Sequence, residues 1–430
     1  MAVALTNWAG NITFGARRSH EPTSTDDVRA VLAGARSAGG RVRVLGTGHS
    51  FSAVADTEGD HVSLARMPVV RELDADRRLV RVSAGLRYGE VTPWLHERGF
   101  ALHNLGSLPH IAIAGACATG THGSGDRNGV LATAVRALRV VTAAGDVVDL
   151  SADGTGPGCG ADFAGAVVVL GALGVVTEVT LAVEPAYDVA QSVYDGLPFA
   201  AVEEHLDEIL AAAYSVSLFT RWTGDTLDTV WLKCRPDVDG PAGQAPSDLF
   251  GAVPSDGPRH PLRGEPTGHA TEQGGTPGPW HTRLPHFRME FTPSAGEELQ
   301  SEYFVARERA VEALQALRAM QDEISPLLLV GEVRSIAADD LWLSGAHGRD
   351  TVGVHLTWRP DVAAVLPVVA RVEERLLPLG ARPHWGKVFT AGPDAVRPLY
   401  PRLDDARRLV ETFDPTGLLR NGFVDDYLRG

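Results

Sequence analysis

Thiols are scarce in this chain. Its three cysteines, Cys117, Cys159 and Cys234, lie far apart and form no CxxC pair. So sparse and odd a set argues against a disulfide framework and against thiolate metal ligation, and it fits a reducing compartment. Long apolar runs are also missing: no window of 18 uninterrupted apolar residues occurs, so no transmembrane helix is expected. The opening residues MAVALTNWAGNITF have no basic start, and their apolar run breaks at Asn7, unlike a secretory signal. The expectation is a cytoplasmic protein. Positive charge is in deficit, with 39 basic against 54 acidic side chains and a formal net charge of −15. Such a surface repels nucleic acid and anionic membranes and leaves small molecules as the expected partners.

Several motifs are absent too. No GxGxxG follows a strand into a helix, which counts against a Rossmann dinucleotide fold. The glycine loops carry no Walker lysine. His49, His110 and His122 form no HxxxH or HxxEH unit, so a zinc site is not expected. No internal repeat is found.

What is present reads as a globular protein: 430 residues, 44% hydrophobic and 22% charged, enough for two or three domains. A helix is predicted over 22–38, with Ser24 and Asp27 at capping-box spacing and Val28, Val31, Leu32 and Ala35 on one face. A strand at 41–45 runs into Gly46-Thr47-Gly48. Hairpins are predicted at 68–74/78–84 and in RALRVVTAAGDVVDL, with a helix over 88–98 between them. GALGVVTEVTLAVEPAY closes this region with a strand.

The texture changes after about residue 186. A helix over 199–213, the strands SVSLFTRW and TVWLKC, and a Pro/Gly-rich loop over 235–282 come first. Strands near 286–293 and 327–337, a helix over 306–320, a strand over 352–358 and a helix over 361–376 follow. HWGKVF and a helix near 402–413 end the pattern. Hairpins with interspersed helices make this an α+β chain.

Two glycine-rich segments, Gly46-Thr47-Gly48-His49-Ser50 and Gly115 to Gly125, offer backbone donors for a diphosphate. Tight turns packed in a core are the alternative on spacing alone. VRVLGTGHSFS, NLGSLPHIAIAGACATGTHGSG and LGALGVVTEVTL resemble the FAD-binding domain of the vanillyl-alcohol oxidase superfamily. With NWAGNITF, FTPSAGEELQSEYF, RPHWGKVF and FDPTGLLRNGFV, the chain is similar to the bacterial alditol (xylitol) oxidases over essentially its whole length.

The resemblance implies a two-domain fold: an FAD-binding domain over 1–185 with a contribution from 383–430, and a substrate-binding cap over 186–382 built on an antiparallel sheet. It implies that His49 forms an 8α-histidyl bond to FAD. Further FAD contacts are implied at Gly46, Thr47, Gly48, Ser50, Phe51, Ser107, Gly115, Ala118, Thr119, Gly120, Thr121, His122, Gly123, Gly174, Val175, Val176 and Asn421. His122 is expected to be structural or to lie on the phosphate side. An imidazolyl group on the flavin should raise its potential and prevent its loss.

In the second region, Glu332 and Arg334 sit two apart in a strand and share a face, as do His355 and Thr357. Lys387 follows Trp385 and Gly386. Burying such groups is costly unless they pair with each other or with a ligand; an ordinary salt bridge on a solvated sheet is the alternative for the first pair. The resemblance makes Ser107, Glu332, Arg334, His355, Thr357 and Lys387 the lining of a polyol pocket. It implies oxidation of a terminal primary alcohol to the aldose, hydride passing to flavin and electrons to dioxygen to give hydrogen peroxide. Arg334 and Lys387 are expected to polarise the C1 oxygen, and the others to hold the remaining hydroxyls. The group that takes the hydroxyl proton is left open. Departures from the family pattern stand at Ser52 (asparagine), Gly106 (alanine) and Ala112 (serine). An aldonolactone oxidase of the same superfamily and a non-catalytic flavin-binding protein are the other readings.

Overall fold

A computed structural model describes residues 5–239, 246–291 and 298–429. Helix Thr25–Ser37 forms close to its predicted bounds and buries Val28, Leu32 and Ala35. Its cap differs by one residue from the expected box. Ser24 Oγ accepts from Asp27 N at 3.1 Å, but the Asp27 carboxylate accepts from Thr23 N at 2.9 Å.

The first region holds a five-stranded sheet in the order Arg71–Asp74, Leu79–Ser83, Val175–Ala182, Val135–Val141, Val147–Ser151, antiparallel throughout. Both predicted hairpins are in it. Val175–Ala182 alternates buried and half-buried side chains along its length, the mark of a strand with one face to a core. Beside it lies a three-stranded sheet in which Arg18–His20 and Val42–Val44 flank Asp60–Val62. These strands run parallel, which hairpin patterning does not foresee. The connection from Val44 to Asp60 must therefore cross over, and that crossover carries the GTGHS loop.

The second region is a nine-stranded sheet. At its centre, Ser215–Thr220, Leu328–Ile336, Thr351–Trp358 and Leu299–Ala306 pair antiparallel in that order. The pleat separates two chemistries. Val354, Leu356, Trp358, Val333, Val216 and Leu218 belong to a core shared with helices Phe199–Leu210, Ala310–Arg318 and Val362–Leu376. Helix Val362–Leu376 buries Val365, Val368, Val369, Val372 and Leu376, each contributing about 1.5–3 kcal/mol by leaving water. The opposite face carries the polar residues.

The strand expected near 286–293 does not form. Phe287 makes an isolated bridge to Ala270, and residues 292–293 lie outside the described residues. Pro285 has no N–H, and the N–H groups of His286 and Phe287 are both spent on the Ser107 carbonyl, at 3.1 and 3.3 Å, so none of the three can donate to a ladder. The strand is Leu299–Ala306 instead. The 235–282 loop, of which 240–245 lie outside the described residues, contributes Val253–Pro254 and Pro277–Pro279 as short pairings to the edge strand Asp188–Asp195.

The end of the chain returns to the first region. Val42 N donates to Leu418 O at 2.7 Å. The buried Arg43 guanidinium donates to the carbonyls of Leu419 (2.7 Å), Val54 (2.5 Å) and Leu170 (2.6 Å). No helix among the described residues is long and apolar enough to cross a membrane.

Candidate active site

One large cavity, about 340 Å³, runs between the two sheets and is walled by both glycine-rich loops and by the polar face of the nine-stranded sheet. Local hydrogen bonds bring these elements together. Thr47 Oγ1 accepts from Ala112 N at 3.3 Å, which ties the first glycine loop to the second. Phe51 N donates to Gly386 O at 2.7 Å, and Ser52 Oγ donates to Trp385 O at 2.6 Å. The GHSFS turn is thereby stitched to the HWGK segment, and His49 and Lys387 share the cavity. Gly48, at φ +70°, is where this turn needs glycine.

His49 stacks on Trp8 with ring centroids 5.3 Å apart. Its Nδ1 is buried and has no hydrogen-bond partner among the described residues. Burial, with smaller contributions from His110 and Lys387, pushes the imidazole down to about 4, so the ring is neutral at pH 7.

Of the residues proposed for cofactor contact, Gly46 to Phe51, Ser107, Gly115, Ala118, Thr119, Thr121, His122, Gly174 and Val176 line the cavity. Gly120, Gly123, Val175 and Asn421 are not among its lining residues. Val175 is fully buried and paired with Val141. A Cβ at Gly123 would come within 2.3 Å of Leu105 O, so that glycine serves close packing. Asn421 caps the helix Gly422–Val424 and donates to the carbonyls of Ala53 at 2.9 Å and Asp56 at 2.7 Å. It acts on the cavity only through that turn.

An FAD molecule fits this donor set. Gly115 faces open space, so a side chain there would intrude on the cavity rather than on protein. The two loops offer backbone N–H groups and hydroxyls without a neighbouring carboxylate among the named cofactor residues. His49, with its orphaned Nδ1, is among the residues lining the same cavity.

On the sheet wall, cross-strand register sets Glu332 opposite His355 and His355 opposite Glu302. The six proposed substrate residues all line the cavity, and Ser107 enters from the loop side. Arg334 is the centre. Its Nη2 donates to Glu302 Oε1 at 2.7 Å, its Nη1 to Ser107 Oγ at 3.4 Å, and its Nε lies 3.6 Å from Glu332 Oε1. His355 Nδ1 lies 3.3 Å from Glu302 Oε2, and its Nε2 is 3.1 Å from Thr357 Oγ1. Lys387 donates to Gln300 Oε1 and sits over the Phe51 ring. The ion pair is therefore buried, not solvated: Glu332 and Arg334 are each 5% exposed.

Sequence reasoning missed Glu302, Gln300, His286 and Lys233. Glu302 is 2% exposed, and its Oε1 also meets His122 Nε2 at 3.0 Å. His122 Nδ1 lies 2.8 Å from Gly123 O. His122 stands on the Arg334 side of the cavity, where it contacts Glu302. A glutamate set directly before the apolar run YFVA in LQSEYFVA was the available signal. His286 Nε2 lies 2.7 Å from Glu332 Oε1, and Lys233 Nζ lies 3.1 Å from His286 Nδ1.

Charge states follow from this packing. Burial alone would raise Glu302 and Glu332. Arg334 and the adjacent imidazoles (His122 and His355 for Glu302, His286 for Glu332) hold both well below the usual carboxylate range. Burial lowers Lys387 to about 8 despite the nearby Glu302 carboxylate. Burial likewise takes Lys233 down to about 7 and His286 to about 4. The wall thus presents fixed carboxylates, a fixed guanidinium and one lysine able to change charge near neutral pH.

Comparisons with known proteins agree with this arrangement. Residues 18–151 match the FAD binding domain family, and residues 296–428 match the D-arabinono-1,4-lactone oxidase family. The alditol oxidase of a Streptomyces species is 47% identical, covering 100% of both chains. The L-gulono-1,4-lactone dehydrogenase of Mycobacterium tuberculosis is 30% identical, over 100% of this chain and 99% of its own. A solvent-stable cholesterol oxidase shares the fold, with a TM-score of 0.78 at 16% identity, covering 99% of this chain and 97% of that one. Identity at that level along the entire length, joined to an FAD-binding region and an antiparallel second region, places this chain in the alditol oxidase family of FAD-dependent oxidases, within the vanillyl-alcohol oxidase superfamily.

Proposed function

We propose that this protein oxidises the terminal primary hydroxyl of polyols such as xylitol and sorbitol to the aldose, reducing dioxygen to hydrogen peroxide, with FAD tethered covalently to His49. The observation that carries the reading is a single cavity wall bearing Glu332, Arg334, His355, Thr357, Lys387 and Ser107, in a chain so similar to an alditol oxidase. The first region with 383–430 would hold the cofactor, and 186–382 would present the polyol.

When bound, FAD would supply the two-electron acceptor for the alcohol, with dioxygen as the final acceptor. Arg334, locked by Glu302 and charged at all working pH, stabilises the developing charge on the C1 oxygen. Neutral Lys387 accepts the hydroxyl proton, the role a guanidinium cannot fill. Glu332, His355, Thr357 and Ser107 hold the remaining hydroxyls and so select which end of the polyol reacts. Support for the tether comes from the neutral, orphaned imidazole of His49 at the cavity wall.

A lactone oxidase is the second reading, favoured by the match of residues 296–428 to the D-arabinono-1,4-lactone oxidase family. Both are tested by anaerobic mixing with xylitol or with L-gulono-1,4-lactone, followed by peroxide measurement in air. Xylitol should bleach the visible flavin absorbance and yield peroxide. Faster turnover of the lactone would replace the first reading with the second.

A further inference from the structure

Lys233 is a cation placed where the proposed chemistry does not use one. It lies on strand Thr229–Cys234 at 1% exposure, two strands away from Glu332 in the sheet order. Burying an ammonium is costly unless its three donors are all satisfied. Three acceptors converge on Nζ: the carbonyl of Leu284, the carbonyl of Pro285 at 3.3 Å, and His286 Nδ1 at 3.1 Å. No carboxylate is among them. The match of three donors to three acceptors is what a charged lysine needs, and it has a consequence for the imidazole.

While Lys233 carries its proton, which burial confines to pH values below about 7, the ammonium has no lone pair and His286 Nδ1 is the acceptor. The single proton of the neutral ring then resides on Nε2 and points at Glu332 Oε1, 2.7 Å away. Oε1 is thereby occupied, and Oε2, with no hydrogen bond among the described residues, is left to receive a ligand hydroxyl. The same segment is held from a second side, because His286 N and Phe287 N both donate to Ser107 O. The 284–287 segment, Ser107 and Glu332 are therefore one hydrogen-bonded unit.

We propose that Lys233 is a positioning residue for substrate binding: by donating to His286 Nδ1 it fixes the imidazole as the Nε2–H tautomer, which orients Glu332 as a hydroxyl acceptor. This rests on the polyol reading only for its kinetic consequence, since the tautomer is a property of the protein without substrate.

The test begins with the holoenzyme labelled with ¹⁵N-histidine, the His286 signals being assigned by their loss in His286→Asn. At pH 6, where Lys233 is charged and the His286 ring neutral, long-range ¹⁵N–¹H correlation should show a protonated Nε2 and an unprotonated Nδ1 for His286. A protonated Nδ1 in the wild-type protein overturns the proposal without any further variant. Lys233→Met should then shift His286 toward the other tautomer or a mixture. It should raise KM for xylitol about tenfold while kcat stays within about twofold, the signature of lost ground-state binding. Unchanged KM in a Lys233→Met enzyme that retains its flavin would also overturn it. If wild-type protein bleaches with no polyol yet shows the Nε2–H tautomer, the polyol reading fails and the Lys233–His286–Glu332 unit stands.

Discussion

Glu302 and Arg334 form an ion pair, Oε1 to Nη2 at 2.7 Å, with both side chains closed to solvent. Neither pairing nor burial of these two groups is incidental to the cavity. Glu302 also meets His122 and lies beside His355, so one carboxylate orients the guanidinium and two imidazoles behind the wall that a substrate would touch. Breaking such a pair by removing one partner leaves an uncompensated charge in a medium of low polarity.

Glu302→Gln should therefore lower both stability and turnover. Loss of one member of a buried pair costs about 3–5 kcal/mol, and misplacing Arg334 should reduce kcat by roughly 10²-fold. Thermal unfolding and steady-state kinetics on the same preparation check it. Unchanged Tm with unchanged kcat would mean that Arg334 is held without Glu302.

Lys387 supplies the pH dependence. Burial brings it to about 8, and only its neutral form accepts a proton, so that form increases as pH rises through this value. A kcat/KM profile that climbs toward a plateau above pH 8 is expected. Lys387→Met should remove the rising limb and lower kcat/KM by about 10²–10⁴-fold, the usual worth of a general base. A limb that survives in this variant would assign the base elsewhere.

His49→Ala addresses the tether. Acid precipitation of wild-type protein should leave the yellow colour in the pellet, and the variant should release it to the supernatant. Colour in the supernatant from both proteins would mean that the flavin is held without a covalent bond.

Arg43 predicts a stability effect far from the polyol wall. Its guanidinium joins Leu419 to Val54 and Leu170 through carbonyls alone, and burial lowers it to about 10. Arg43→Met strands those buried acceptors, at about 1–3 kcal/mol for an unsatisfied group. A loss of roughly 3 kcal/mol or more in denaturant unfolding is expected, together with weaker flavin retention because Val54 and Leu170 border the cavity.

Period-2 patterning was enough to place Glu332 with Arg334, and His355 with Thr357, on common faces, because side-chain direction in a strand is local geometry. The helix Val362–Leu376 and both hairpins of the first region were legible for the same reason. The predicted strand near 286–293 was not, since an apolar stretch shows nothing of where its N–H groups will be spent. Those of His286 and Phe287 go to Ser107, almost 180 residues earlier in the chain.

Leu299–Ala306 is buried on both faces, so it lacks the alternation that would have marked Glu302 as facing a site. Its role came from register, with Glu302 opposite His355. The sequence by itself determined the glycine turns, the local faces of strands and helices, and the family resemblance. The tertiary structure alone decided which buried charge meets which. Pairing energies depend on separations of a few ångströms between segments distant in the chain, and on the exclusion of water that only assembled packing provides.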